Sequence, residues 1–326
     1  MKYKFLTLCL LVVFSVVAFA QQPSGTQTQE TPRPAAPIVT SILEVYDLAT
    51  GTRRVVREFP NTRMEAPNWT PDGKWLVYNS GGLLYKVSPD IIDDTPVQIN
   101  TDFVNTANND HVISADGKFI ALSASAVEDR RSRIYTVPIE GGIPQLITPV
   151  GPSWLHGISP DNKYLLYYGE RNGNHSIFII PTQGGKEIRL TDENTDLDDG
   201  PEYSPDGKYI WFNSVRTGLM QVWRMKADGS EQTQITFHED RLSWFPHVSP
   251  DGKQVVYITY KVGDQLPHQH VANRNVDLRL MTIDGKDSKV IAELFGGQGT
   301  INVNSWAPDS KRFAFVSYRL EEQPAR

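Results

Sequence analysis

Histidine is the side chain whose ordinary pKa lies closest to neutrality, and imidazole is the commonest nitrogen ligand of transition metals. The 326-residue chain has seven histidines, and five of them gather in two kinds of place. His111, His156 and His247 stand four or five residues before the aspartate of a recurring turn, while His268 and His270 lie in a stretch that only one copy of the repeat contains. Asp110 adjoins His111, Glu202 occupies the position of His247 one repeat earlier, and Asn304 stands in the last repeat. Two or three imidazoles with a carboxylate are the ligand types of a transition-metal site. His111 and His156 are the candidates for a base working near neutral pH. The same residue types also tie adjacent loops together by hydrogen bonds, and both readings stand at this point. His175 and His238 read as solvated loop residues.

The elements that must position these side chains are set by the turn. It reads Thr70-Pro71-Asp72-Gly73-Lys74, Ser114-Ala115-Asp116-Gly117-Lys118, Ser159-Pro160-Asp161-Asn162-Lys163, Ser204-Pro205-Asp206-Gly207-Lys208, Ser249-Pro250-Asp251-Gly252-Lys253 and Ala307-Pro308-Asp309-Ser310-Lys311. Successive aspartates are 44, 45, 45, 45 and 58 residues apart. Proline presets the first corner, aspartate bonds back to the local backbone, and glycine accepts a left-handed φ. β-prone runs such as Tyr164-Leu165-Leu166-Tyr167 leave each turn. A second turn follows in each repeat, as in Gln183-Gly184-Gly185, with alternating segments on either side. Four short strands, A to D, in a repeat of about 40–45 residues are the signature of a propeller blade.

Six turns predict an all-β, six-bladed β-propeller with four-stranded blades. The last repeat holds strands A and B only, in 305–318. Residues 41–48 and 52–56 read as the missing C and D, so the N-terminal strands should close the ring with the C-terminal blade and remove two open edges. Strand A is the innermost, and its start shares a face with the B–C loop. From the turn aspartate to the second glycine is 23 residues in repeats three and four but 34 in repeat five, which places about eleven extra residues in Lys261–Val276 on that face.

Two further features bear on ligands. Arg171, Arg216, Lys261 and Arg319 each lie ten residues after a turn aspartate. They either receive an anionic ligand, with arginine binding carboxylates in a bidentate way, or pair with an acid of the next blade. Trp154 and Trp244 stand at blade entries and either stack on a sugar ring or pack in the core.

Residues 1–20 read as a signal peptide, with Lys2 and Lys4, an apolar run from Phe5 to Val17, and Ala18-Phe19-Ala20 as the cleavage site. Its only cysteine, Cys9, lies inside that run. Residues 21–40 read as a disordered linker, which leaves 41–326 as the propeller. Cleavage removes two lysines and no acids, taking the net charge from −6 to −8. The expectation is a periplasmic or secreted protein with no membrane span after cleavage and no nucleic-acid partner. Oligomeric state is not read from the chain.

The repeat Ser-Pro-Asp-Gly-Lys-aromatic-Ile-x-Phe, followed by Ala227-Asp228-Gly229-Ser230, resembles the TolB-type (WD40-like, PD40) propeller repeat over 41–326. That resemblance implies a binding module for a periplasmic or cell-surface protein or glycan. TolB carries an additional α/β domain ahead of its propeller, and this chain has no length for one. No Gly-x-Ser-x-Gly phrase marks a hydrolase. Gln265-x-x-His268-x-His270 also resembles the manganese-binding motif of oligogalacturonate lyases, a seven-bladed family. By that resemblance Gln265, His268 and His270 would hold a divalent metal such as Mn2+, with His247 as fourth ligand. The activity implied is a metal-dependent lyase or hydrolase acting on an acidic oligosaccharide.

Overall fold

The recurring turn folds as its chemistry requires. In four copies the serine hydroxyl donates to the turn aspartate at 2.7–2.8 Å, and Thr70 does so at 2.6 Å. The lysine N–H donates to the same carboxylate in all six copies. Gly73, Gly117, Gly207 and Gly252 have φ of 68–74°, and Asn162 and Ser310 take φ of 59° in their place. Those two substitutions are not passive. Ala115 is the one turn lacking proline, and its free N–H donates to Asn162 Oδ1 of the next blade at 2.8 Å. Asp251 N likewise donates to Ser310 Oγ at 2.9 Å. Elsewhere glycine lies against the preceding blade's proline, Gly117 on Pro71 and Gly207 on Pro160.

The computed structural model describes residues 37–192 and 197–321, so the signal-peptide reading lies outside the described residues. Five antiparallel sheets have four strands in sequence order, and a sixth has three. The inner A strands of blades one to five are Met64–Trp69, Ala107–Ile113, Ser153–Ile158, Asp198–Tyr203 and Arg241–Val248. In blade six, strand A reduces to a bridge between Trp306 and Phe313. Strand B of that blade, Arg312–Glu321, pairs with Ile38–Asp47, which pairs in turn with Thr52–Phe59. The N-terminal strands thus close the ring as expected. The closing strand begins at Ile38, so residues 38–40, read as linker, belong to it. Among the described residues no helix is long and apolar enough to cross a membrane.

Sheets stack face to face through the side chains of alternate positions, and the core is the set of seams between blades. Trp211, Tyr257 and Val255 fill one seam, and Leu43, Met64 and Leu76 another. Each inner strand of blades one to five carries a β-bulge at the same height, between Glu65 and Asn68, Ala107 and His111, Leu155 and Gly157, Asp199 and Glu202, and Trp244 and His247. A bulge inserts a residue and re-aims the side chains beyond it. In blades one, four and five the bulge contains a left-handed residue followed by proline: Ala66-Pro67, Gly200-Pro201 and Phe245-Pro246. At Gly200 a Cβ would stand 2.6 Å from Asn213 Oδ1, so only glycine fits.

Candidate functional site

The bulges divide the polar residues of strand A into two groups. Residues just before the bulge point to the mouth of the channel on the B–C face. There they line a cavity of about 470 Å3 with Glu65, Asn108, Asp110, Trp154, His156, Tyr168, Asp199, His268 and His270 among its walls. Residues beyond the bulge turn into the seams. Of the residues singled out from the sequence, Asp110, Trp154, His156, His268 and His270 come together in this cavity. Glu65, Tyr168 and Asp199 join them without having been singled out.

Asp199 organises the site. Its Oδ1 lies 3.1 Å from His156 Nε2 and its Oδ2 lies 3.7 Å from His270 Nε2. Gly200 N donates to Oδ1 at 2.7 Å. Burial pushes the Asp199 carboxyl up, but the His156 hydrogen bond and the two imidazoles outweigh it and hold the group below its usual range. Burial pulls His156 down, and the contact with Asp199 and the charge of Asp110 more than reverse this. His270 stays below its usual value because burial dominates over Asp199. Asp110 accepts from Asn108 Nδ2 at 2.7 Å, yet burial pushes its carboxyl up to about 6. Burial also raises Glu65, against the Arg63 guanidinium 3.9 Å away. The cavity therefore combines three carboxylates with three imidazoles, and the proton affinities of His156 and His270 have been drawn apart.

Aromatic rings hold these groups in place. Phe245 stacks on His156 at 6.0 Å and meets His270 edge-on at 5.1 Å. Trp244 is fully buried and packs on His270 at 4.6 Å, so it supports the imidazole from behind and offers no platform to a sugar. Trp154 is half-buried and stacks on Tyr168 at 5.3 Å, while His175 lies nearly parallel to the Tyr168 ring at 5.2 Å and bonds its hydroxyl. His175 is thus a structural partner, not a solvated residue. His238 also departs from that reading, because its Nε2 meets Tyr257 Oη at 3.0 Å.

The remaining candidates serve the seams. His111 is fully buried, faces the Val77 carbonyl, and is pushed down to about 4 by burial. It cannot act as a base on a ligand in the cavity. His247 donates through Nε2 to the Ile301 carbonyl at 2.5 Å, and its Nδ1 lies 2.5 Å from Glu202 Oε2. Glu202 Oε1 accepts from Val248 N at 3.1 Å and from Asn304 Nδ2 at 2.6 Å. These three residues clamp blades four, five and six together. Asn68 repeats the device between blades one and two by accepting from Ile113 N at 2.9 Å.

The manganese set is not assembled. Both His247 nitrogens are engaged elsewhere, and Gln265 spends its amide on Gln269 O and Val271 N inside its own loop. Among the described residues no group of three or more His, Cys, Asp or Glu is arranged to hold a metal ion. The periodic cations do not converge either. Arg171 binds Glu187 at 2.7 Å and the Pro152 carbonyl at 2.9 Å, Arg216 binds Asp198 at 2.7 Å, and Arg319 binds Glu58 at 2.8 Å. Each partner is in the same blade, where the sequence suggested the next one. Lys261 is exposed.

Comparison with known proteins places this geometry. The family model for the TolB beta propeller domain, PD40, matches residues 112–283. The chain belongs to the TolB β-propeller family. The TolB-type propeller is 44% identical over 278 residues to an uncharacterized protein of Agrobacterium fabrum strain C58, covering 85% of this chain and 92% of that one. A solved Agrobacterium tumefaciens structure, provisionally described as TolB, superposes with a TM-score of 0.81 at 43% identity, covering 86% and 99% of the two chains. The oligogalacturonate lyase of Vibrio parahaemolyticus superposes with a TM-score of 0.50 at 14% identity over 80% and 74% of the chains, a likeness of fold alone.

The residues missed in the sequence had a signal. Glu65 and Asp199 each precede a left-handed residue and a proline, and the same three-residue pattern recurs at Trp244. It marks the bulge of the inner strand, and at Glu65 and Asp199 the residue before the bulge faces the channel mouth, while Trp244 packs behind His270.

Proposed function

We propose that this TolB-type propeller is an exported recognition module, periplasmic or secreted, that holds a glycan of a cell-surface partner in the cavity of its B–C face. The observation that carries the reading is the wall itself. A half-exposed indole stands beside carboxylates, an amide and imidazoles converging on about 470 Å3, a size usual for small-ligand sites. Aromatic rings supply a flat apolar face and the polar groups supply orientation, which is how a sugar ring is gripped. An acidic glycan suits these walls poorly. They present Glu65, Asp110 and Asp199, whereas the arginines that would receive an acid are committed to ion pairs.

The test is a glycan array probed with the protein, with Trp154→Ala, and with Lys253→Ala at the opposite face. The expected result is a set of bound glycans lost in Trp154→Ala and kept in Lys253→Ala. Bound glycans that survive Trp154→Ala, or the absence of any bound glycan, would overturn the reading.

A further inference from the structure

Blade two carries an arginine where its neighbours carry glycine. The B–C turns of blades one, three, four and five each contain a left-handed glycine, Gly82, Gly173, Gly218 and Gly263, at φ of 80–97°. In blade two the left-handed residue is Arg130, at φ of 57°. A long side chain is uncommon in that region, and residues held there gather where ligands are clamped. Arg130 is exposed, and among the described residues its guanidinium has no hydrogen bond or ion pair.

A second observation is independent of the backbone. Arg130 and Arg131 line a further cavity of about 300 Å3 between blades two and three, together with Thr106 and Ser125, and no carboxylate stands in its wall. Asp129 of the same turn lies outside it, spent on Arg133 Nη2 at 2.7 Å and on the Arg131 N–H at 3.0 Å. Arg131 Nη1 donates to the Gly151 carbonyl at 2.9 Å, which fixes the guanidinium and leaves four of its five N–H donors to a ligand.

This basic cavity adjoins the one at the channel mouth, because Asn108 and Trp154 belong to the walls of both. The Asn108 amide is locked on Asp110, and Trp154 is held by its stack on Tyr168 at 5.3 Å. A ligand resting on Trp154 therefore meets two guanidiniums on the side away from the channel.

We infer that the bound glycan extends past Trp154 and sets the carboxylate of a uronic acid unit on Arg130 and Arg131. This rests on the glycan reading above and deepens it. The unit inside the channel-mouth cavity carries no acid, and the next unit does. Guanidinium presents paired donors that match the two oxygens of a carboxylate.

The experiment is a glycan array that sets each neutral glycan beside the same glycan bearing one uronic acid unit or one phosphate, at about 0.1 M and about 1 M salt. The protein should bind the uronic acid form about tenfold more tightly than its neutral counterpart at the lower salt, a difference of 1.4 kcal/mol. That is the order of a hydrogen bond to a charged group. Both arginines stand in solvent, so the higher salt should shrink the preference to about twofold. Arg130→Gln and Arg131→Gln should each cut the preference at least about threefold, two variants guarding against a fold defect in one. Lys253→Ala, which removes a positive charge from the opposite face, should keep it whole. Neutral and acidic forms bound alike, a preference that survives both glutamine variants, or one lost equally in Lys253→Ala would overturn the acidic subsite and leave the glycan reading standing. Phosphate forms preferred over uronic acid forms would overturn the carboxylate in favour of a phosphorylated glycan. The absence of any bound glycan would overturn both readings.

Discussion

Glu202 offers the sharpest test of how strand-A polar residues divide between cavity and seam. The carboxylate is 7% exposed and receives Val248 N and Asn304 Nδ2, while His247 lies against its second oxygen. Glu202→Ala leaves Val248 N and His247 Nδ1 buried without a partner, while Asn304 Nδ2 keeps only the Val248 carbonyl at 3.1 Å. Truncating one member of a buried, hydrogen-bonded charge pair costs about 3–5 kcal/mol, most of it the penalty on what remains. For a domain of this size, 1 kcal/mol moves the unfolding midpoint by roughly 2–4 °C. A loss near 4 kcal/mol therefore predicts a midpoint about 8–16 °C below the parent. Glu202→Gln keeps an oxygen for the two amide donors and should lose about half as much. The assay is thermal unfolding at pH 7, followed by calorimetry and tryptophan fluorescence. Glycan-array binding at 20 °C should be unchanged in both variants, because Glu202 does not line the B–C face cavity. A midpoint within about 2 °C of the parent, or a change in binding without a change in stability, would refute the assignment of Glu202 to the seam.

Other perturbations follow from the same structure. Asp110 titrates near 6 against 3.8 when unfolded, so its contribution is present below 3.8 and lost as pH rises through 6. His111 titrates near 4 against 6.5, so its contribution is present above 6.5 and lost as pH falls through 4. The two slopes oppose one another, and Asp110→Asn should unmask the second. Urea unfolding of that variant should show stability falling by up to about 3 kcal/mol from pH 6.5 to 4, and a curve parallel to the parent's would contradict it. Arg171→Ala breaks a bidentate pair with Glu187 and a bond to Pro152 O. It should cost about 3 kcal/mol in urea unfolding and leave glycan-array binding untouched. Glu44 is buried, binds Arg53 at 2.6 Å and accepts from Ser317 Oγ at 2.6 Å across the ring closure. Glu44→Ala should speed amide exchange in Arg312–Glu321 before other strands, and uniform acceleration would deny it a local role.

The fold was legible because the turn is local chemistry repeated six times. Hydroxyl, aspartate and glycine decide its shape within five residues, and a constant interval leaves one architecture. Ring closure followed from counting strands. The face of the site was legible too, since Asp110, Trp154, His156, His268 and His270 all reached it. The direction of individual side chains was not. Period-two reasoning places His111 and His156 alike, each five residues before its turn aspartate, but the bulge in each inner strand shifts the register and sends one to the seam and the other to the mouth. His156 reaches the cavity where blade three bulges between Leu155 and Gly157, while His247 lies past the bulge of blade five and turns inward. The pairing of Gln265 with its own loop was equally hidden, because a loop's internal hydrogen bonds depend on a path that no periodicity records.

The strand Ile38–Asp47 has a consequence for the order in which the molecule can be made. Its partner along one whole edge is Arg312–Glu321, with Ile38 opposite Glu321. A growing chain therefore carries its first strands without their final neighbours until blade six has emerged. Blades one to five can assemble as they appear, each on the one before, but the assembly remains an open arc with two bare edges throughout. Completion is a single late event that joins the first and last strands of the propeller, and the longest-range contacts of the domain all form in that step.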